Sequence, residues 1–214
     1  VKLTKHAHAC VTIEKGGTRL VIDPGTFTPD AAEAVARAHA VLITHEHFDH
    51  FDEQLVAAAL EARPGLLVYG TAAVAAALGS HDGRVHAVTA GDAFTVGSVT
   101  VSVHGHRHAL IHPDIPCPDN VGYLLDDGAV HHPGDAYCVP DAPVRTLLLP
   151  TSGPWTKLGE AADYVRAVKP ERVIEIHELM LSDVGRQSTA RLLGEEGLTG
   201  VPVERLGPGA GVQL

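Results

Sequence analysis

The chain has 214 residues, 45% apolar and 20% charged, with a formal net charge of −10, which suits one globular domain over 1–214 with a single sizeable core and disfavours disorder. The apolar stretch 55–78 is cut by Glu61, Arg63 and Pro64, so no bilayer span is expected, and Lys and Arg concentrate nowhere, which argues against a nucleic-acid partner. Three widely spaced cysteines, Cys10, Cys117 and Cys138, and an opening without an apolar signal region lead to the expectation of a reduced, cytoplasmic protein.

Taken in order, the chain opens with short strands around Leu3, over 9–14 and over 18–22, ending at Asp23-Pro24-Gly25. Residues 31–38 suit a short helix. The apolar run Ala40-Val41-Leu42-Ile43 then reads as a buried strand. Directly behind it stands T-H-E-H-F-D-H-F-D, Thr44 to Asp52, which packs His45, His47, Asp49 and His50 into six positions. Imidazole nitrogens and a carboxylate suit zinc and similar divalent ions. Neighbouring side chains in so tight a loop point in different directions, so it can serve two ions. A polar, His-rich surface turn is the plain alternative, and it leaves the placement of the other histidines and aspartates unexplained.

Asp52 can cap a helix whose Leu55, Val56, Ala59 and Leu60 recur at helical spacing before Pro64 stops it. A strand over 66–69 and an Ala-rich helix over 71–78 follow. Strands are expected over 85–89, 93–96 and 99–108, the last with Val99, Val101 and Val103 on one face and Thr100, Ser102, His104, His106 and His108 on the other. A hairpin of 120–125 and 129–132 ends in His132-Pro133-Gly134-Asp135, with His131 on the face opposite His132. The apolar run 144–149 is a buried strand leading to a loop with the chain's one tryptophan, Trp155, either a pocket wall or packing for the next helix. That helix covers 158–168, a strand over 173–176 runs into His177, and a helix over 184–195 and short strands finish the chain.

His-Xaa-His-Xaa-Asp-His behind a buried strand resembles the signature of the metallo-β-lactamase superfamily. The resemblance implies an α/β fold, a four-layer αββα sandwich of two mixed sheets with helices outside. It implies His45, His47 and His108 on one ion, Asp49, His50 and His177 on a second, and Asp135 bridging both. His108, followed by Ala109, matches that pattern better than His106, while His104 is a strand residue satisfied elsewhere. Asp23 corresponds to a residue that hydrogen-bonds the metal loop, a role compatible with starting the turn at Pro24-Gly25. His132 matches a position that contacts substrate or leaving group in lactonase-like members. The plain readings remain a turn Asp for Asp135 and a core His for His177. His112 either lines the site or caps a turn, and the role of His8 stays open.

The resemblance further implies a hydrolase in which a metal-bound hydroxide attacks and Asp49 orients the water. Two divalent ions are implied, zinc fitting best and manganese or iron also compatible. The pattern is closest to the compact ascorbate-6-phosphate lactonase type. Position 47 is His rather than the Glu of the flavin di-iron reductases, Asp49-His50 lacks the Gly-Gly that follows in glyoxalase II relatives, and the exosite insertion of transfer RNA processing nucleases has no counterpart. The expected partner is a small-molecule substrate with an ester, lactone, phosphodiester or amide bond, and bound dications would favour an anionic one. The alternatives are a mononuclear iron oxidoreductase resembling persulfide dioxygenases and a protein that binds metal without catalysis.

Overall fold

In the computed structural model, which describes residues 1–214, period-2 alternation along the strands sorts the side chains into layers. Six strands come first: β1 (Lys2–Lys5), β2 (Val11–Lys15), β3 (Thr18–Ile22), β4 (Ala40–Leu42), β5 (Leu67–Gly70) and β6 (Val85–Ala87). Seven more follow: β7 (Ala93–Val96), β8 (Val99–His104), β9 (Gly122–Leu125), β10 (Val130–His132), β11 (Thr146–Pro150), β12 (Arg172–Ile176) and β13 (Val203–Glu204). A last strand, β14 (Gly211–Gln213), returns to pair with β1. The sheets run β14-β1-β2-β3-β4-β5-β6 and β13-β12-β11-β10-β9-β8-β7.

Each sheet has three antiparallel pairings followed by three parallel ones. In the first the change comes at β3 and in the second at β10. Superposing the two orders makes β14 the counterpart of β7, β1 of β8, β3 of β10, β4 of β11 and β5 of β12.

The inner faces meet in one apolar layer that includes Leu20, Ile22 and Leu42 from the first sheet and Tyr123, Leu125, Leu148 and Ile174 from the second. Between these residues, Val21, Val41 and Val68 point outward beneath helices α1 (Ala31–Ala36), α2 (Glu53–Ala62) and α3 (Ala72–Leu78). Leu147, Leu149 and Val173 do the same beneath α4 (Leu158–Val168) and α5 (Asp183–Leu193). The result is the αββα sandwich. Each fully buried aliphatic side chain contributes roughly 1.5–3 kcal/mol by leaving water. Asp52 and Thr71 cap α2 and α3 by accepting the backbone N–H of Leu55 and Val74. No helix is long and apolar enough to cross a membrane.

The largest departure from the sequence expectation is β8, which stops at His104 rather than running to His108. Gly105 takes a φ of +72° and its missing Cβ lies against Cys138, so the chain turns there. His108 therefore sits in a loop, free of the strict alternation that a strand would impose.

Candidate metal centre

The parallel strands β3 and β4 end side by side, and the loop between Thr44 and Asp52 starts where they stop. Asp23 follows β3 with a φ of +51° and no exposed surface. Its Oδ1 accepts the backbone N–H of Thr44 at 2.8 Å and its Oδ2 accepts the Thr44 hydroxyl at 2.7 Å. Oδ2 also lies 2.7 Å from His50 Nδ1. One carboxylate thus fixes the first residue of the loop and the ring of its last histidine, turning His50 Nε2 inward. The backbone N–H groups of His50 and Phe51 both donate to the His47 carbonyl at 2.9 Å, closing the turn. Gly25 lets this turn lie against Asp23-Pro24: a Cβ there would stand 2.0 Å from the Asp49 carbonyl oxygen.

Three groups of possible ligand atoms, each within 4.8 Å of one another, result: His45, His47 and His108; His8, Asp49, His50 and His177; and His45, His50 and Asp135. Asp135 lies between the first two. Its Oδ1 is 3.1 Å from His50 Nε2, and its Oδ2 is 3.1 Å from His177 Nε2 and 3.4 Å from His108 Nε2. Each of these residues follows a strand end on the same edge of the sandwich. All seven residues expected as ligands meet there.

The other histidines fall elsewhere. His106 is exposed, and His104 pairs with the Ser102 hydroxyl at 3.0 Å. His112 is exposed and accepts the backbone N–H of Asp114, so it serves a turn. His132 does not face the centre as the sequence reading expected. It is fully buried, its Nδ1 accepts the Gly134 N–H at 3.1 Å, and its Nε2 donates to the Ala9 carbonyl at 2.9 Å. With both nitrogens spent on backbone it braces the turns bearing His8 and Asp135 and has none left for substrate.

Two side chains escape the sequence reading of the ligand set. Trp155 is buried, and its indole N–H donates to Asp135 Oδ2 at 2.8 Å, with the ring 5.0 Å from that of Tyr137. His8 has its Nε2 3.1 Å from Asp49 Oδ2 and its ring 3.7 Å from that of His177. The sequence signal for His8 is an echo: His6-Ala7-His8-Ala9 after β1 repeats the spacing of His106-Arg107-His108-Ala109 after β8.

The electrostatics call for positive charge at the middle. Burial opposes protonating His50, yet Asp135 and Asp23 overcome it and hold its pKa well above the ordinary value. Burial likewise opposes a charged His177, and Asp135 with Asp49 lifts it to about 9. Burial would raise the Asp135 carboxyl, but His50 and His177 keep it well below the usual range. Burial, followed by the neighbouring His50, keeps His45 neutral.

His50 Nε2, His108 Nε2, His177 Nε2 and Asp135 Oδ1 are buried without a hydrogen bond. His50 Nε2 and Asp135 Oδ1 are only 3.1 Å apart and still not aligned to bond each other. Atoms aimed at a common point rather than at one another are what ligands of a shared cation look like, and leaving them bare would be costly. The residues fit a divalent-metal centre.

A family profile described as a beta-lactamase superfamily domain matches residues 2–177. The chain belongs to the metallo-β-lactamase superfamily. Within it, protein Rv0786c of Mycobacterium tuberculosis is 40% identical over 190 residues, covering 87% of this chain and 88% of the relative. A UPF0173 metal-dependent hydrolase of Myxococcus xanthus is 32% identical, covering 82% of this chain and 70% of its own length. Among solved structures, the metallo hydrolase Igni18 of Ignicoccus hospitalis shares the fold with a TM-score of 0.75 at 21% identity, covering 99% of this chain and 97% of that one.

Several exposed apolar side chains stand close in sequence to the residues of this superfamily centre. Phe48 within the ligand loop is 62% exposed, and Leu110, Leu179 and Met180 stand exposed two or three residues past His108 and His177. The ring of Phe27 bridges Phe48, at 5.4 Å, and His8, at 5.2 Å, forming an aromatic wall that leads inward.

Proposed function

We propose that the protein is a hydrolase working with two divalent ions, zinc fitting best, with His45, His47 and His108 holding one, Asp49, His50 and His177 the other, and Asp135 shared. The observation that carries this reading is the pair of ligand groups joined by one carboxylate. When bound, such ions lower a water's pKa to about 7 and polarise a carbonyl or phosphoryl oxygen.

The chain's own residues supply the rest. Asp135, gripped by the Trp155 N–H, fixes the distance between the two groups. Asp49 turns Oδ2 toward His8 and His177, which leaves Oδ1 without a hydrogen bond from the protein and able to orient an attacking water. Asp23 holds His50 in the tautomer that presents Nε2. The apolar rim would receive the non-reacting part of the substrate. It favours a lactone, ester or amide with an apolar portion, in keeping with the lactonase-like pattern, over a phosphodiester.

Elemental mass spectrometry of untagged protein purified without chelator tests the reading. Two equivalents of zinc or manganese per chain are expected, with turnover of an acyl ester or lactone in that metal. A single iron would replace hydrolysis with oxidative chemistry, and failure to take up any metal would refute the assignment.

A further inference from the structure

Resting on the two-ion reading above, we infer that His8 is a further protein ligand of the second ion, joining Asp49, His50, His177 and the shared Asp135. The first support is geometric. Asp49 Oδ2 has three imidazole nitrogens around it: His8 Nε2 at 3.1 Å, His177 Nε2 at 3.4 Å and His50 Nε2 at 3.9 Å. Ligands bonded to one zinc at about 2.0–2.2 Å and near the tetrahedral angle lie about 3.3–3.6 Å from one another. His177 sits at that separation, and His8, at 3.1 Å, is a little inside it and closer to Asp49 than either of the two histidines already assigned to this ion. It is wholly buried, so its imidazole does not compete with solvent for a role.

The second support is topological and independent of those distances. β1 and β8 are counterparts in the two sheets, and the turns that follow them carry His-Xaa-His-Ala in each case. The second histidine is the one turned toward the ligand groups in both turns, His8 in the first and His108 in the second, while His106 is exposed and His6, though buried, is tied to Asp30 and Thr12. His108 joins the group of His45 and His47. His8 does for the other group what His108 does for the first, so each half of the fold sends one histidine from the same turn to a different ion.

The backbone is arranged to keep His8 in place. The residue takes a φ of +56°, its carbonyl accepts the N–H of His177 at 3.0 Å, and the next carbonyl, of Ala9, accepts from His132. Lys5 at the end of β1 pairs with Glu178, the neighbour of His177, at 3.1 Å. The turn is thus pinned at several points to the end of β12, where the last ligand emerges.

The test is a crystal structure of the zinc-loaded protein together with zinc titration of His8→Asn, a variant that tolerates the left-handed backbone and removes the ring. The inference expects His8 Nε2 at about 2.0–2.2 Å from the second ion. It also expects the second equivalent of zinc to bind about a hundredfold more weakly in the variant, with the first unchanged. Two ions with His8 still hydrogen-bonded to Asp49, or unchanged affinity for both equivalents in a folded variant, would overturn the role of His8 and leave the two-ion reading standing. Wild-type protein that takes up only one equivalent would overturn both.

Discussion

The two sheets have the same pairing order, yet they treat the same strand ends differently. After β4, six consecutive positions supply four of the proposed ligands; after its counterpart β11, the loop supplies none and contributes Trp155, which hydrogen-bonds the proposed ligand Asp135 instead. After β3, Asp23 holds a ligand loop from behind; after β10, Asp135 faces the ligands itself. After β5 comes Thr71, a helix cap, and after β12 comes His177. The first half is a preassembled ligand loop with its own support, and the second sends single ligands from separate turns. A symmetric scaffold therefore does not require a symmetric centre, because each strand end needs only to reach the shared edge.

The largest expected effect separates the paired aspartates. Asp135→Ala should abolish turnover of whichever ester or lactone proves active, and weaken metal binding by more than the roughly 10–100-fold typical of outer partners. Circular dichroism would show the fold retained, and normal turnover in a folded Asp135→Ala protein would break the distinction between the halves. Asp23→Ala, at the equivalent strand end, should stay within that roughly 10–100-fold loss of metal affinity, because it removes support for Thr44 and His50 and leaves every ligand present. If the two variants behaved alike in titrations, Asp23 would have to be counted with the ligands.

Trp155→Phe keeps the ring and deletes only the donor to Asp135. A smaller loss, about tenfold in metal affinity or kcat, is expected at the low end of the same range. No change would mean that the second half's turns are held by packing alone.

A last effect is one of pH, acts on stability rather than on the metal centre, and belongs to the outer side of the second sheet. His131 is fully buried with neither ring nitrogen hydrogen-bonded, and burial, helped by His104 and His132, lowers its pKa to about 3. The unfolded chain takes up this proton near pH 6.5 and the folded one does not until about 3, so stability is lost as pH falls through that window. His131→Phe should remove a contribution on the order of a few kcal/mol from the acid slope of denaturant midpoints measured between pH 6.5 and 4. An identical slope in the variant would place the acid sensitivity elsewhere.

These contrasts also govern what the sequence reveals. The ligand loop is legible because its residues are adjacent and follow an apolar run that can only be a buried strand. The central strands are legible for the same reason, as continuous apolar runs such as Val144 to Leu149 that suit a strand buried on both faces. His108, Asp135 and His177 stand alone in the sequence, so only the resemblance singles them out. His108 lies past Gly105, where alternation no longer says which way a side chain points. His8 is hidden because its partners lie 41 and more residues away, and its turn gains meaning only once β1 and β8 are seen as counterparts. His132 misleads because local spacing fits a substrate contact, while the Ala9 carbonyl that claims it comes from a remote strand end.

Gly25 carries no group that binds, donates or accepts through a side chain, yet a single carbon added there would overlap the Asp49 carbonyl. A comprehensive substitution scan scored on activity would therefore rank position 25 with the ligands themselves. Breeding for a new substrate would have to leave it untouched, along with Asp49 and His50, and draw its variation from the exposed rim.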